Sequence, residues 1–282
     1  MQIKEILLKN GFRFNKRFGQ NFLTDDALLD DIVSKAGITA EDTVVEIGCG
    51  GGTLTAAIAR RAKRVIGFEI DNNLRPVLKE SLAPYQNVEI IFKDVMKMKT
   101  EEIEDLCGGE FCVVANLPYY ITTPILMFLL ESGIAFESIT VMVQKEVADR
   151  LTAAAGSPLY GAVTASVSYY GQAKKLMNVS AGNFIPAPKV DSAVVQITLY
   201  KEPPIVTADT DLFFETIRAA FGQRRKTLVN ALSSAFPMLA KADIADAVVS
   251  CGFDPNVRGE KLNIVDFAKI ADGIYRLKSD TK

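Results

Sequence analysis

The chain has 282 residues, 49% of them apolar, with 32 Lys and Arg against 34 Asp and Glu and a net charge of −2. That length holds one large domain or two modest ones around a real core, and the charge balance leaves any nucleic-acid contact to local basic clusters. There is no histidine, and Cys49, Cys107, Cys112 and Cys251 form no CxxC pair, which excludes an imidazole base, a Ser-His or Cys-His nucleophile and closely spaced Cys/His zinc ligands.

Reduced thiols and a start without a long apolar stretch lead to the expectation of a cytoplasmic protein without a secretory signal or bound metal. Residues 111–130 carry no charge and are long enough to suggest a membrane span. Asn116, Pro118, Thr122, Thr123 and Pro124 break the run, so strand, loop and buried helix describe it better.

In chain order, Thr24-Asp25-Asp26 ahead of Leu28, Leu29, Ile32 and Val33 predicts a capped amphipathic helix. Strands and helices then alternate: strand 43–47, loop 48–52, helix 54–61, strand 64–70, helix 74–82 and strand 88–93. Stretches 111–115 and 139–143 complete five apolar strands. The alternation predicts an open α/β sheet with helices on both faces. A further strand follows at 192–200. Lys201-Glu202-Pro203-Pro204 then interrupts regular structure, and 212–236 returns with helical spacing. The expected division is residues 1–204 as an α/β domain and 205–282 as a small helical domain. Phe213, Phe214, Ile217 and Phe221 are expected in the core of the latter.

The stretch VVEIGCGGGTLT sets Gly48, Gly50 and Gly52 between a strand and a helix. Glycines there let the backbone approach a ligand at a helix N-terminus. Glu69 ends the second strand about 20 residues on, where an acid can hold ribose hydroxyls. A nicotinamide fingerprint, G-x-G-x-x-G, would need glycine where Thr53 stands. The observed G-x-G-x-G with its following acid instead resembles S-adenosylmethionine-dependent methyltransferases. Asp94, ending the third strand, is either a cap or an acceptor for the donor's adenine amine.

The fourth strand ends in VVANLPYYITTP, residues 113–124. An exocyclic amine on a nucleobase is a poor nucleophile because its lone pair is delocalised into the ring. The Asn116 amide oxygen and the Leu117 carbonyl can both accept N–H bonds from such an amine and favour a pyramidal nitrogen. Pro118 biases Leu117 toward extended geometry, and the Tyr119 ring can stack on the base. Direct transfer by positioning needs no histidine.

With these residues assigned, the chain resembles the small-subunit ribosomal RNA adenine dimethyltransferases. The likeness rests on FGQNFL (18–23), EIGCGGGTLT (46–55), NLPYY (116–120), QKEVADRL (144–151), NFIPAPKVDSAV (183–194) and FGQRRKTL (221–228), in order over most of the chain. It implies a Rossmann-like sheet and N6-dimethylation of two adjacent adenosines in a hairpin near the 3′ end of 16S rRNA. The substrate would be the small subunit or its precursor. It implies donor contacts from Asn21, Leu23, Gly48, Glu69, Asp94 and Asn116, joined by Gly50 of the glycine loop. It also implies a target adenine between Tyr119 and Phe184, facing Asn116 and Leu117. The family commonly has proline where Cys49 stands, a departure that touches loop stiffness only.

Lys16-Arg17 and Arg224-Arg225-Lys226, the latter on a predicted helix, are the expected phosphate contacts, and a monomer is the expected state. Three other classes are weighed: a large-subunit rRNA adenine methyltransferase, an assembly or binding factor on the same scaffold, and a nicotinamide dehydrogenase. FGQRRKTL and the long NFIPAPKVDSAV segment argue against the first. Intact Glu69 and Asn116 argue for retained catalysis, and the glycine spacing argues against the last.

Overall fold

Val44, Val65, Val113 and Ile139 are each fully buried in four neighbouring strands, so both faces of the sheet must be covered. That is why these strands read as continuous β-branched runs instead of an apolar–polar alternation. The computed structural model describes residues 3–15, 19–223 and 225–280. Among them the chain runs α1 (Ile3–Lys9), β1 (Phe22–Leu23), α2 (Asp26–Lys35), β2 (Thr43–Ile47), α3 (Thr53–Ala59), β3 (Arg64–Phe68), α4 (Arg75–Ser81) and β4 (Val88–Ile91). It continues through α5 (Thr100–Cys107), β5 (Cys112–Asn116), α6 (Tyr119–Glu131), β6 (Ser138–Gln144), α7 (Lys145–Leu151) and α8 (Ala162–Tyr170). Then come β7 (Gly171–Val179), β8 (Phe184–Ile185) and β9 (Ser192–Leu199).

The main sheet has the order β4-β3-β2-β5-β6-β9-β7. Strands β2 to β6 are parallel to their neighbours, and β9 is antiparallel to β6, with Gln144 opposite Ser192. From β2 the chain steps outward to β3 and β4, then returns to the other side at β5. Such a reversal opens a crevice beyond the C-terminal ends of the two central strands. The glycine loop follows β2, and Asn116 ends β5, so both motifs face that crevice by topology alone.

Helix α2 starts where the sequence predicts: Asp25 Oδ1 accepts from the Ala27 and Leu28 amides at 2.9 and 3.2 Å, a cap that contributes about 1 kcal/mol. Its Leu29, Ile32 and Val33 pack with Ala57 and Ile58 of α3 and with Val44, Val65 and Val114 of the sheet. A second cluster joins Ile3 and Leu7 of α1 to Phe22, Leu74, Val77 and Leu78.

The chain divides into two compact units, one of residues 1–148 and 173–199, the other of residues 149–172 and 200–282. The second contains α8 with α9 (Thr210–Gly222), α10 (Leu228–Ala235), α11 (Lys241–Ser250) and α12 (Ile264–Asp280). Phe213, Ile217, Leu232, Val248 and Phe267 form its core, with Phe214 buried and Phe221 partly buried against it. Residues 149–172, expected with the α/β part, belong here because α8 supplies Ala165 and the Tyr169 ring, 5.4 Å from that of Phe213. The chain re-enters this unit at Tyr200, whose amide donates to the Tyr170 carbonyl at 2.9 Å, a few residues before Pro203-Pro204. Local sequence hides this recruitment, since AVTASVSYY has little amphipathic contrast and its packing partners come much later in the chain.

One predicted helix is two. Stretch 212–236 breaks after Gly222, and Thr227 caps α10 by accepting from the Asn230 amide at 3.4 Å. Arg225 and Lys226 therefore stand in the turn between α9 and α10 and not on a helix. Arg224, Lys16 and Arg17 lie outside the described residues.

Candidate active site

Gly48, Gly50 and Gly52 have φ of +80°, +54° and +82°, values an L side chain rarely tolerates. At Gly50 there is a second reason for glycine: a Cβ would stand 2.8 Å from Cε1 of Phe22. The loop is held from both sides. The Gly48 amide donates to the Phe68 carbonyl at 2.8 Å. Glu69 Oε2 accepts from the Gly50 amide, and its Oε1 accepts from those of Ile70 and Asp71, all at 2.8 Å. Burial pushes the Glu69 carboxyl up from its ordinary pKa, and these three N–H bonds pull it back.

Asn116 is the last paired residue of β5. Its Nδ2 donates to the Asn21 carbonyl at 3.2 Å, an arrangement that fixes the amide and leaves Oδ1 as an acceptor. Pro118 opens α6, and its carbonyl accepts from the Ile121 amide at 3.0 Å and from Thr122 Oγ1 at 3.1 Å. Tyr119 Oη shares a 2.8 Å hydrogen bond with Oγ of Ser192, which is fully buried. Burial raises the Tyr119 pKa, so the group remains a neutral phenol. Leu23 pairs with Phe184 in the short β1–β8 ladder.

These groups share one cavity of about 300 Å³. Asn21 and Leu23, Gly48 and Gly50, Glu69, Asp94, Asn116, Leu117, Tyr119 and Phe184 all line it. Asp94 also caps the following turn, its Oδ1 accepting from the Met96 amide at 3.2 Å, so the structural role weighed for it is present. Of the sequence-derived site residues that the structure describes, Arg225 and Lys226 alone are absent from this lining.

Sequence reasoning missed four residues here. Gln20 donates to Asp71 Oδ2 at 2.8 Å, and Phe22 lies over Gly50 as described. Ser192 gives no local sign of its task. Glu46 could have been noticed as a charged residue inside the apolar run VVEIG. It is 1% exposed and lines the cavity, and its Oε2 and the nearby Thr55 Oγ1 both lack a hydrogen-bond partner. Burial raises its pKa to about 8, with the Thr55 hydroxyl opposing and the Glu69 charge adding to the rise. Thr55 lies near enough to act on the charge but not in a geometry that satisfies either oxygen.

Two predictions follow from this geometry. Glu69→Ala removes acceptors for three backbone donors, each charged bond contributing about 1.5–3 kcal/mol. Calorimetry should find S-adenosylmethionine binding at least tenfold weaker, and Glu69→Gln should not restore it, because an amide cannot accept on both sides. Glu46 holds its proton in the folded state well above its ordinary 4.5, up to about 8. The native state thus binds more protons than the unfolded state between those values, and stability should fall as pH rises through the window. Denaturation midpoints should fall less for Glu46→Gln, which has no proton to lose.

The family model for ribosomal RNA adenine dimethylase matches residues 11–274. Ribosomal RNA small subunit methyltransferase A of Bacillus licheniformis is 47% identical over 279 residues, covering 96% of this chain and 95% of its own. The protein of that name from Geobacillus thermodenitrificans is 45% identical, covering 97% and 95%. Among solved structures, a dimethyladenosine transferase from Plasmodium falciparum has a TM-score of 0.71 at 27% identity, covering 88% of this chain and 95% of its own. The 23S rRNA methyltransferase ErmE, at 23% identity and a TM-score of 0.70, covering 90% and 99%, shares the fold. With a match that spans every element around the cavity, this chain belongs to the ribosomal RNA adenine dimethylase family.

Proposed function

We propose that the protein dimethylates N6 of two adjacent adenosines in a hairpin near the 3′ end of 16S rRNA, within the small subunit or its precursor, with S-adenosylmethionine as donor. The observation that carries this reading is the Asn116 amide. Tied through Nδ2 to the Asn21 carbonyl, it offers Oδ1 as an acceptor in a cavity that also holds two aromatic rings and the glycine loop. The two small-subunit relatives at 47% and 45% identity favour this substrate over large-subunit RNA, since the likeness to ErmE extends to fold alone.

The cavity suits the donor. S-adenosylmethionine supplies an electrophilic methyl group on a sulfonium cation. Glu69 and Asp94 give the pocket acceptors for hydroxyls and amines, and the unpartnered buried Glu46 oxygen adds a further polar atom to its wall. Gly48 and Gly50 let the donor approach the backbone closely, while Asn21 and Leu23 close the side of the pocket toward β8.

On the base side, Asn116 Oδ1 and the Leu117 carbonyl accept the two N6 hydrogens of adenine. This localises the nitrogen lone pair and keeps it nucleophilic. Tyr119 and Phe184 hold the plane of the base. The methylated nitrogen is acidic, so its surplus proton leaves to water and no general base is needed. After one transfer a single N–H remains, and one acceptor still orients the lone pair for the second.

Arg225 and Lys226, with Lys16, Arg17 and Arg224, are proposed as phosphate contacts for a monomer acting in the cytoplasm. No helix among the described residues is long and apolar enough to cross a membrane.

Mass mapping of methylated nucleotides after incubation with undermethylated small subunits tests the reaction, atom and site together; unmodified adenosines in that hairpin would refute it. In single-turnover assays Asn116→Ala should nearly abolish the first transfer and weaken donor binding. Stacking is worth about 1–3 kcal/mol per base, so Tyr119→Ala should slow both transfers by roughly fivefold or more. Tyr119→Phe keeps the ring and loses one hydrogen bond, about 0.5–1.5 kcal/mol. Its loss should stay under about tenfold, and Ser192→Ala should reproduce it.

A further inference from the structure

Beside the base pocket lies a second concavity of about 430 Å³, between the end of β6 and the segment 181–191. We propose that this groove binds the RNA backbone adjoining the target nucleotide, with Lys145 and Lys189 as its phosphate ligands. The inference rests on the rRNA-methylating reading above and extends it.

The groove is built, and its frame is shared with the base pocket. Asp191 joins its two walls: the carbonyl accepts from the Lys145 amide at 3.0 Å, and Oδ1 accepts from the Ala181 amide at 3.0 Å. The next residue, Ser192, holds the Tyr119 hydroxyl at 2.8 Å. Ala181 begins the short helical turn, Ala181–Asn183, that leads directly into Phe184. The groove therefore starts one residue from the serine that holds Tyr119 and three residues from Phe184. A base stacked between those rings leaves its ribose and phosphates outside the pocket, where these same chain segments continue into the groove.

Lys145 and Lys189 are both exposed on this groove, and neither forms an ion pair among the described residues. Free ammonium groups beside a pocket for an extruded base are what a phosphodiester needs, and they act as point charges on a flexible stem. Glu146 shares the rim, so the groove suits a short stretch of backbone held by two cations, not a long basic track. Glu146 and Asp191 balance the two lysines in the lining, so the contact is made by the two ammonium groups individually and not by a net positive field.

The test uses full-length protein, donor and undermethylated small ribosomal subunits, which carry the target hairpin in place. Binding is measured from 50 to 200 mM salt for wild type, Lys145→Gln/Lys189→Gln and Lys63→Gln, whose exposed lysine precedes β3 at the opposite end of the sheet. Two single-strand phosphate contacts contribute roughly 1.4 to the salt slope. Wild-type affinity should thus fall about sevenfold more than that of the double variant over this range. Lys63→Gln should follow wild type, and donor affinity should be equal in all three. An unchanged slope in the double variant, while wild type still methylates the hairpin adenosines, would return the lysines to the solvated surface and overturn the proposal. So would a parallel loss of donor affinity, which would mark a structural role. Wild type that leaves those adenosines unmodified would overturn the reading on which the proposal rests, a separate and distinguishable failure.

Discussion

A single carboxylate organises the donor side of this protein. Glu69 accepts three backbone N–H bonds, from Gly50 across the crevice and from Ile70 and Asp71 at its own strand end. Glycine residues with positive φ are conformationally free before folding, so a loop of them needs an external restraint to hold one shape. Glu69 provides that restraint from the neighbouring strand, and Phe22 closes the space above Gly50. An acid that the glycine pattern suggests as a ligand for hydroxyls is therefore also what gives the loop its form.

The restraint extends through residues 20–23 to the base side. Gln20 reaches Asp71, the Asn21 carbonyl orients the Asn116 amide, Phe22 covers Gly50, and Leu23 pairs with Phe184. One short stretch thus touches both the glycine loop and the aromatic wall. A shift of this segment would disturb acceptor, ring and loop together.

A site without histidine must do its chemistry by orientation. Here the orienting contacts are neutral or shared: an amide held by a carbonyl, and a phenol held by a buried serine. Preorganised dipoles of this kind cost no rearrangement as charge develops. Glu46 is the exception, a carboxyl buried in the wall of the cavity, its pKa raised to about 8 by burial and one oxygen left without a hydrogen-bond partner.

The sequence by itself determined the parts that depend on local rules. Alternating apolar runs specified a parallel sheet, Asp25 specified a helix start, and G-x-G-x-G, Glu69 and NLPYY fell at strand ends because such motifs are defined by their place after a strand. Gly48, Gly50, Glu69, Asp94, Asn116, Leu117 and Tyr119 line one cavity for that reason, whereas Asn21, Leu23 and Phe184 were reached only through the family resemblance. Tertiary structure decided what depends on distant partners. Ser192 reads as an ordinary strand residue until β9 lies beside β6 and brings its hydroxyl to Tyr119. Residues 149–172 show no leaning toward the helical unit until Tyr169 and Ala165 find the core around Phe213. The break between α9 and α10 follows a helical period that continues across it, so only capping and packing reveal it. Periodicity reports which face of a segment is buried, whereas its burial partners are set by long-range packing that no local window contains.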